Sequence, residues 1–148
     1  MQLLHLFKKY DNEEKTDKEI EQAIRNRFPV DTLKVYNYNY KYIVPCDEQI
    51  QDFIEDITID AKWDIVFRNC DTFAIILAGK ILDKKLGWPC RDVSVFKEGR
   101  KHSAVMIIND KMEVKFLNAV INKYNKVESI KFDREDGYSI DTDREVRI

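Results

Sequence analysis

Four glycines and three prolines in 148 residues leave little material for flexible joints. No repeat, low-complexity tract or Gly/Pro linker divides the chain. One domain over 1–148 is therefore expected, with a helical part over about 1–30, a core over about 31–132 and a charged C-terminal tail. Histidine is rarer still, at two, and the three cysteines, Cys46, Cys70 and Cys90, show no Cys-x-x-Cys spacing. A structural zinc site is not expected from so few ligands. Met1–Lys9 places its lysines after its apolar residues and has no small-residue cleavage site, so it does not read as a signal peptide. With an odd cysteine count, that predicts free thiols in a reducing compartment. No apolar run reaches membrane-spanning length. No block of one charge stands out against a net charge of −2. Neither nucleic acid nor a membrane is an expected partner.

What is present is a globular composition, 44% hydrophobic and 35% charged. Leu3, Leu4, Leu6 and Phe7 form a short apolar patch, followed by a charged stretch from Asp11 to Lys15. Thr16-Asp17-Lys18-Glu19 has the form of a capping box. It opens a helix carrying Ile20, Ala23 and Ile24 on one face, which Pro29 stops. In Val30–Val44, Tyr36, Tyr38, Tyr40 and Tyr42 alternate with polar residues, which predicts a strand. That tyrosine stripe reads either as a carbohydrate or peptide platform or as one packed sheet face with hydroxyls at water. A second helix begins after Pro45, with Ile50, Phe53, Ile54 and Ile57 on one side. Cys46 sits at its start, as a rival thiol or simply a small residue at a helix end.

Arg68-Asn69-Cys70-Asp71-Thr72-Phe73-Ala74 opens the stretch on which function turns. Phe73, Ala74, Ile76, Leu77 and Ile81 recur at helical spacing, with Asn69 as N-cap and Leu86-Gly87 as the stop. A thiol in the first turn of a helix meets the positive end of the dipole, which favours a thiolate nucleophile. After Gly87 the pattern changes to strands: Val93–Phe96, Ser103–Ile108, Glu113–Leu117 and Val127–Phe132. Asn109-Asp110-Lys111 reads as a tight turn. His102 stands just before the second strand and Asn118 at the end of the third, so the hairpin folds them together. Cysteine on a helix with histidine and asparagine on adjacent strands is the logic of thiol catalysis. The imidazole takes the thiol proton and the amide oxygen orients the ring. The expected fold class is α+β, with the Cys70 helix packed on an antiparallel sheet.

The Cys-Asp-x-Phe-Ala segment resembles that of a small papain-like domain, which forms the C-terminal half of the agglutinin of the fungus Marasmius oreades and has bacterial and phage relatives. Tyr42-Ile43-Val44-Pro45, Lys101-His102-Ser103-Ala104 and Phe116-Leu117-Asn118 resemble further segments in the same order, so the match runs from about Lys34 to Val120. The resemblance implies a cysteine peptidase with Cys70 as nucleophile, His102 as base and Asn118 as orienting residue. Asn118 stands where the family has glutamate, and Lys101 replaces a small residue beside the base. The fungal relative is calcium-activated, but Thr72 replaces its second acidic residue, and Asp71 alone offers too few hard oxygens for calcium. No cofactor is expected. Gln49 and Gln51 are oxyanion candidates by residue type only. The expected partner is a peptide or protein substrate, in the cytoplasm of a bacterium or phage-infected host cell. The alternative is a non-catalytic binding protein on the same fold, such as a phage-encoded inhibitor of a host enzyme.

Overall fold

Thr16 opens the first helix, α1 (Asp17–Arg27), with both halves of its capping box made. Its hydroxyl accepts from Glu19 N at 3.2 Å, and Glu19 Oε1 accepts from Thr16 N at 3.3 Å. Ile20, Ala23 and Ile24 are buried on its inner face. The computed structural model describes residues 10–57, 69–124, 126–133 and 137–148, excepting the side chains of Asn69 and Asp133. The apolar patch Leu3–Phe7, Arg68 and the Asn69 cap lie outside what is described.

The segment expected as one strand over Val30–Val44 is two short ones. β1 (Glu13–Thr16) pairs antiparallel with β3 (Lys41–Val44). β2 (Val35–Tyr36) pairs in parallel with β9 (Val146–Arg147). Between them the backbone turns to separate partners: Tyr38 N donates to Ile148 O at 2.8 Å, and Asp17 N to Tyr40 O at 2.9 Å. The tyrosine alternation is therefore broken. Tyr42 is buried at 2% exposure and donates its hydroxyl to Ile148 O, while Tyr36, Tyr38 and Tyr40 are exposed.

α2 (Asp47–Glu55) is capped by Cys46, whose sulfur accepts from Gln49 N at 3.4 Å. α3 (Asn69–Asp83) carries Cys70 in its first turn. It ends a few residues before Gly87, because Lys85 already takes a left-handed φ of 53°. Gly87 also needs its positive φ of 74°, and its carbonyl accepts from Ile43 N at 2.8 Å, tying the end of α3 to β3.

The remaining strands are β4 (Cys90–Lys97), β5 (Arg100–Ile108), β6 (Val114–Ile121), β7 (Val127–Asp133) and β8 (Tyr138–Ile140). They form one antiparallel sheet in the order β7-β6-β5-β4-β8. A two-residue turn at Glu98 and Gly99, with φ of 51° and 77°, joins β4 to β5. That turn starts β5 at Arg100, so His102 lies within the strand and faces Val95, rather than preceding the strand. The next turn is built on Asn109, which is fully buried. Its Oδ1 accepts from Lys111 N and Glu113 N, and its Nδ2 donates to Asp47 Oδ1 and Glu113 Oε1.

Alternation along the strands gives the sheet two covered faces. Val95, Ala104, Met106, Ile108 and Phe116 pack with α1 and with Tyr138, Ile140, Val146 and Ile148 of the tail. Cys90, Val105, Ile107 and Leu117 pack with α2 and α3. The architecture is α+β, with the Cys70 helix on an antiparallel sheet. Among the described residues no helix is long and apolar enough to cross a membrane.

Candidate active site

β5 and β6 pair from Ile108↔Val114 to Val105↔Leu117. Carrying that register one step on would set Ala104 opposite Asn118, so His102 lies one diagonal step away on the same face. Their side chains bridge that diagonal: His102 Nε2 is 2.7 Å from Asn118 Oδ1. Asn118 is 7% exposed and sends its Nδ2 to the hydroxyl of Tyr138, so its oxygen is the end facing the histidine. An amide oxygen only accepts, so His102 Nε2 is the donor, and a neutral ring has its lone pair on Nδ1.

Cys70 and His102 line one cleft of about 650 Å³, together with Arg91, Asp92 and residues of the tail. That volume suits a small ligand or a few peptide residues. Their chain neighbours are joined directly, Ser103 Oγ donating to Asp71 Oδ1 across the gap between β5 and α3. Among the described residues no hydrogen bond joins the Cys70 thiol to the imidazole itself. The cleft's charges balance, with Asp71, Asp92, Asp143 and Glu145 against Arg91, Lys101, Arg144 and Arg147.

The other two thiols are elsewhere. Cys46 is spent on capping α2. Cys90 is buried in the core, and that burial pushes its thiol well up. Gln49 and Gln51 do not line the cleft; they bond to Asn12 and Glu55. Asp71 Oδ1 is taken by Ser103, Thr72 follows it, and no group of three or more His, Cys, Asp or Glu among the described residues is placed to hold an ion.

Tyr138 is the site neighbour that sequence reasoning missed. Its one signal is the alternation Tyr138-Ser139-Ile140 after Gly137, enough to suggest a short strand in a tail otherwise rich in charge.

No family model and no curated protein matches the chain. Its fold is similar to that of a chain in a solved structure described as "PSL1a-E64 complex". The TM-score is 0.57 and the identity 15%, over 85% of this chain and 49% of that one. This chain thus corresponds to about half of that neighbour's length, and at that identity the likeness is one of fold.

Proposed function

We propose that the chain is a papain-like cysteine peptidase, or a related amide-cleaving thiol enzyme, acting on a peptide or protein. Cys70 is the nucleophile, His102 the base and Asn118 the residue that orients the base. The observation that carries this reading is the 2.7 Å contact from His102 Nε2 to Asn118 Oδ1 at the cleft that Cys70 also lines. It leaves Nδ1 as the nitrogen not engaged by Asn118. Further support comes from the fold likeness to a protein described with E64, a cysteine-protease inhibitor.

In the proposed cycle His102 Nδ1 takes the Cys70 proton and Sγ attacks the substrate carbonyl carbon. The oxyanion is held by a backbone N–H in the first turn of α3. The C–N bond breaks, the leaving amine takes the proton from the imidazolium, and a thioester remains. Water then attacks the thioester, giving its proton to Nδ1. The C–S bond breaks, the acid leaves, and the thiol is restored with that proton. Asn118 keeps Nε2–H occupied throughout, so the ring presents the same nitrogen in each step.

A second reading, a non-catalytic binding protein such as a phage-encoded inhibitor, is favoured by one observation. Tyr36, Tyr38 and Tyr40 are exposed, and the Arg91 guanidinium sits 4.7 Å over the Tyr38 ring. Tyrosine and arginine are the side chains enriched at the centres of protein interfaces.

Treating the native protein with E64 and weighing it intact separates the two. The enzyme reading expects one adduct, mapped to Cys70, absent in Cys70→Ser and slow to form in His102→Ala. No adduct, together with iodoacetamide labelling of Cys70 no faster than of Cys46, would leave the binding-protein reading.

A further inference from the structure

We propose that Tyr138 is a positioning residue of this site, acting through Asn118 to hold the amide against His102; the inference rests on the thiol-enzyme reading above. Both ends of the nearly buried amide are engaged, Oδ1 by His102 Nε2 at 2.7 Å and Nδ2 by the Tyr138 hydroxyl. The hydroxyl is itself held in place. Tyr138 is 4% exposed and its ring stacks on Phe116 at 4.0 Å between centroids, tilted by 19°. Its strand β8 is registered on β4 by the pair Lys97↔Tyr138, and Lys97 Nζ lies 5.2 Å over the ring. Three strands therefore meet at one hydrogen-bonded row: β5 supplies the imidazole, β6 the amide and β8 the phenol.

The direction of that row matters for chemistry. An imidazolium has N–H on both nitrogens, so Asn118 serves it only with oxygen forward. With the hydroxyl accepting from Nδ2, that orientation leaves neither end of the amide unpaired. A phenol can also donate, so the hydroxyl would pair a turned amide as well; Nε2–H sets the oxygen forward, and the hydroxyl fixes where the amide stands. Without the hydroxyl, one end is unpaired whichever way the amide turns, and the amide is no longer held in the row.

Tyr138→Phe keeps the ring and its stack while removing the hydroxyl. In the full chain it should slow iodoacetamide labelling of Cys70 at neutral pH about fourfold, the size of one net hydrogen bond. In an Asn118→Ala background the same change should leave the rate unaltered, because its route of action is gone. A residue that merely supports the sheet would slow labelling equally in both backgrounds, and that result would overturn the inference. A second readout does not depend on the thiol. The chain has two histidines, so His5→Gln assigns the ring signals of His102. Nitrogen-15 spectra should show the Nε2 signal of His102 moving in Tyr138→Phe, as its partner amide loses its hold. Unchanged His102 signals with slowed Cys70 labelling in His102→Ala would remove Tyr138 and keep the enzyme. Shifted signals with a Cys70 rate indifferent to His102→Ala would keep the Tyr138 link and remove the enzyme.

Discussion

The two faces of the five-stranded sheet are built differently. The face under α2 and α3 draws its core from one span, Ile50 to Leu117, and its helices announce themselves by spacing. The opposite face joins α1 near the start to Tyr138, Ile140, Val146 and Ile148 at the end. Cys70 rides on a helix of the first face, whereas His102, Asn118 and Tyr138 belong to the second, and the cleft is lined by Cys70 and His102 together. A helix carries Cys70, one hairpin carries His102 and Asn118, and only Tyr138 reaches them from the tail. A change in one core should reach the candidate site differently from an equal change in the other.

The largest expected effect tests that directly. Phe116→Ala and Leu77→Ala each empty a fully buried position, one on each face. Each should cost about 3–5 kcal/mol in urea unfolding. Only Phe116→Ala also removes the surface on which Tyr138 stacks, so only it should alter the ring signals of His102 in the folded protein. Equal disturbance by Leu77→Ala would mean that the faces are not separate.

Next come the two residues joined across β5 and β6. His102→Ala should slow E64 addition to Cys70 about 100-fold or more, since the proposed base is lost. Asn118→Ala should slow it less, about tenfold, because its proposed role is only to orient the ring. Timed adduct formation measures both. An Asn118→Ala rate equal to that of the parent would remove Asn118 from the site.

A smaller effect belongs to the face carrying α1. Thr16→Ala should cost about 1 kcal/mol by loss of the capping box. Chemical denaturation should detect it, and the labelling rate of Cys70 on the other face should not move. The smallest is a pH effect on the same face. Burial raises the Tyr42 phenol above its ordinary value, and its neutral hydroxyl donates to Ile148 O. The stability it carries is intact below the ordinary tyrosine value of about 10 and is lost as pH rises through the higher folded value. In Tyr42→Phe, denaturation curves should lose that component of the alkaline decline.

Legibility in the sequence divides along the same line. Thr16 with Glu19, the apolar positions of α2 and α3, and the Asn109 turn are all signals within a few residues, and each matches its element. The nearness of His102 and Asn118 followed from one hairpin. The break at Tyr38–Tyr40 did not, because its hydrogen bonds run to Ile148 and Asp17, far off in the chain. Nor did the Glu98-Gly99 turn, where a glutamate takes a left-handed φ usually left to glycine or asparagine. Tyr138 was hidden for a related reason: β8 is three residues long, and only its pairing with β4 gives it a place.

That Glu98-Gly99 turn also sets an order in time. β4 and β5 are joined by two residues, so their hairpin closes on the scale of about 1–10 μs, while distant pairings wait on the rest of the chain. β8 lies beyond β6 and β7 in sequence, so its pairing with β4 closes a much longer loop. The strand bearing the imidazole is thus held by local closure, and the three-residue strand bearing the phenol by a distant one. Amide hydrogens of β8 should exchange well before those of Val105–Ile108, with the His102 row released by openings that leave the central sheet intact.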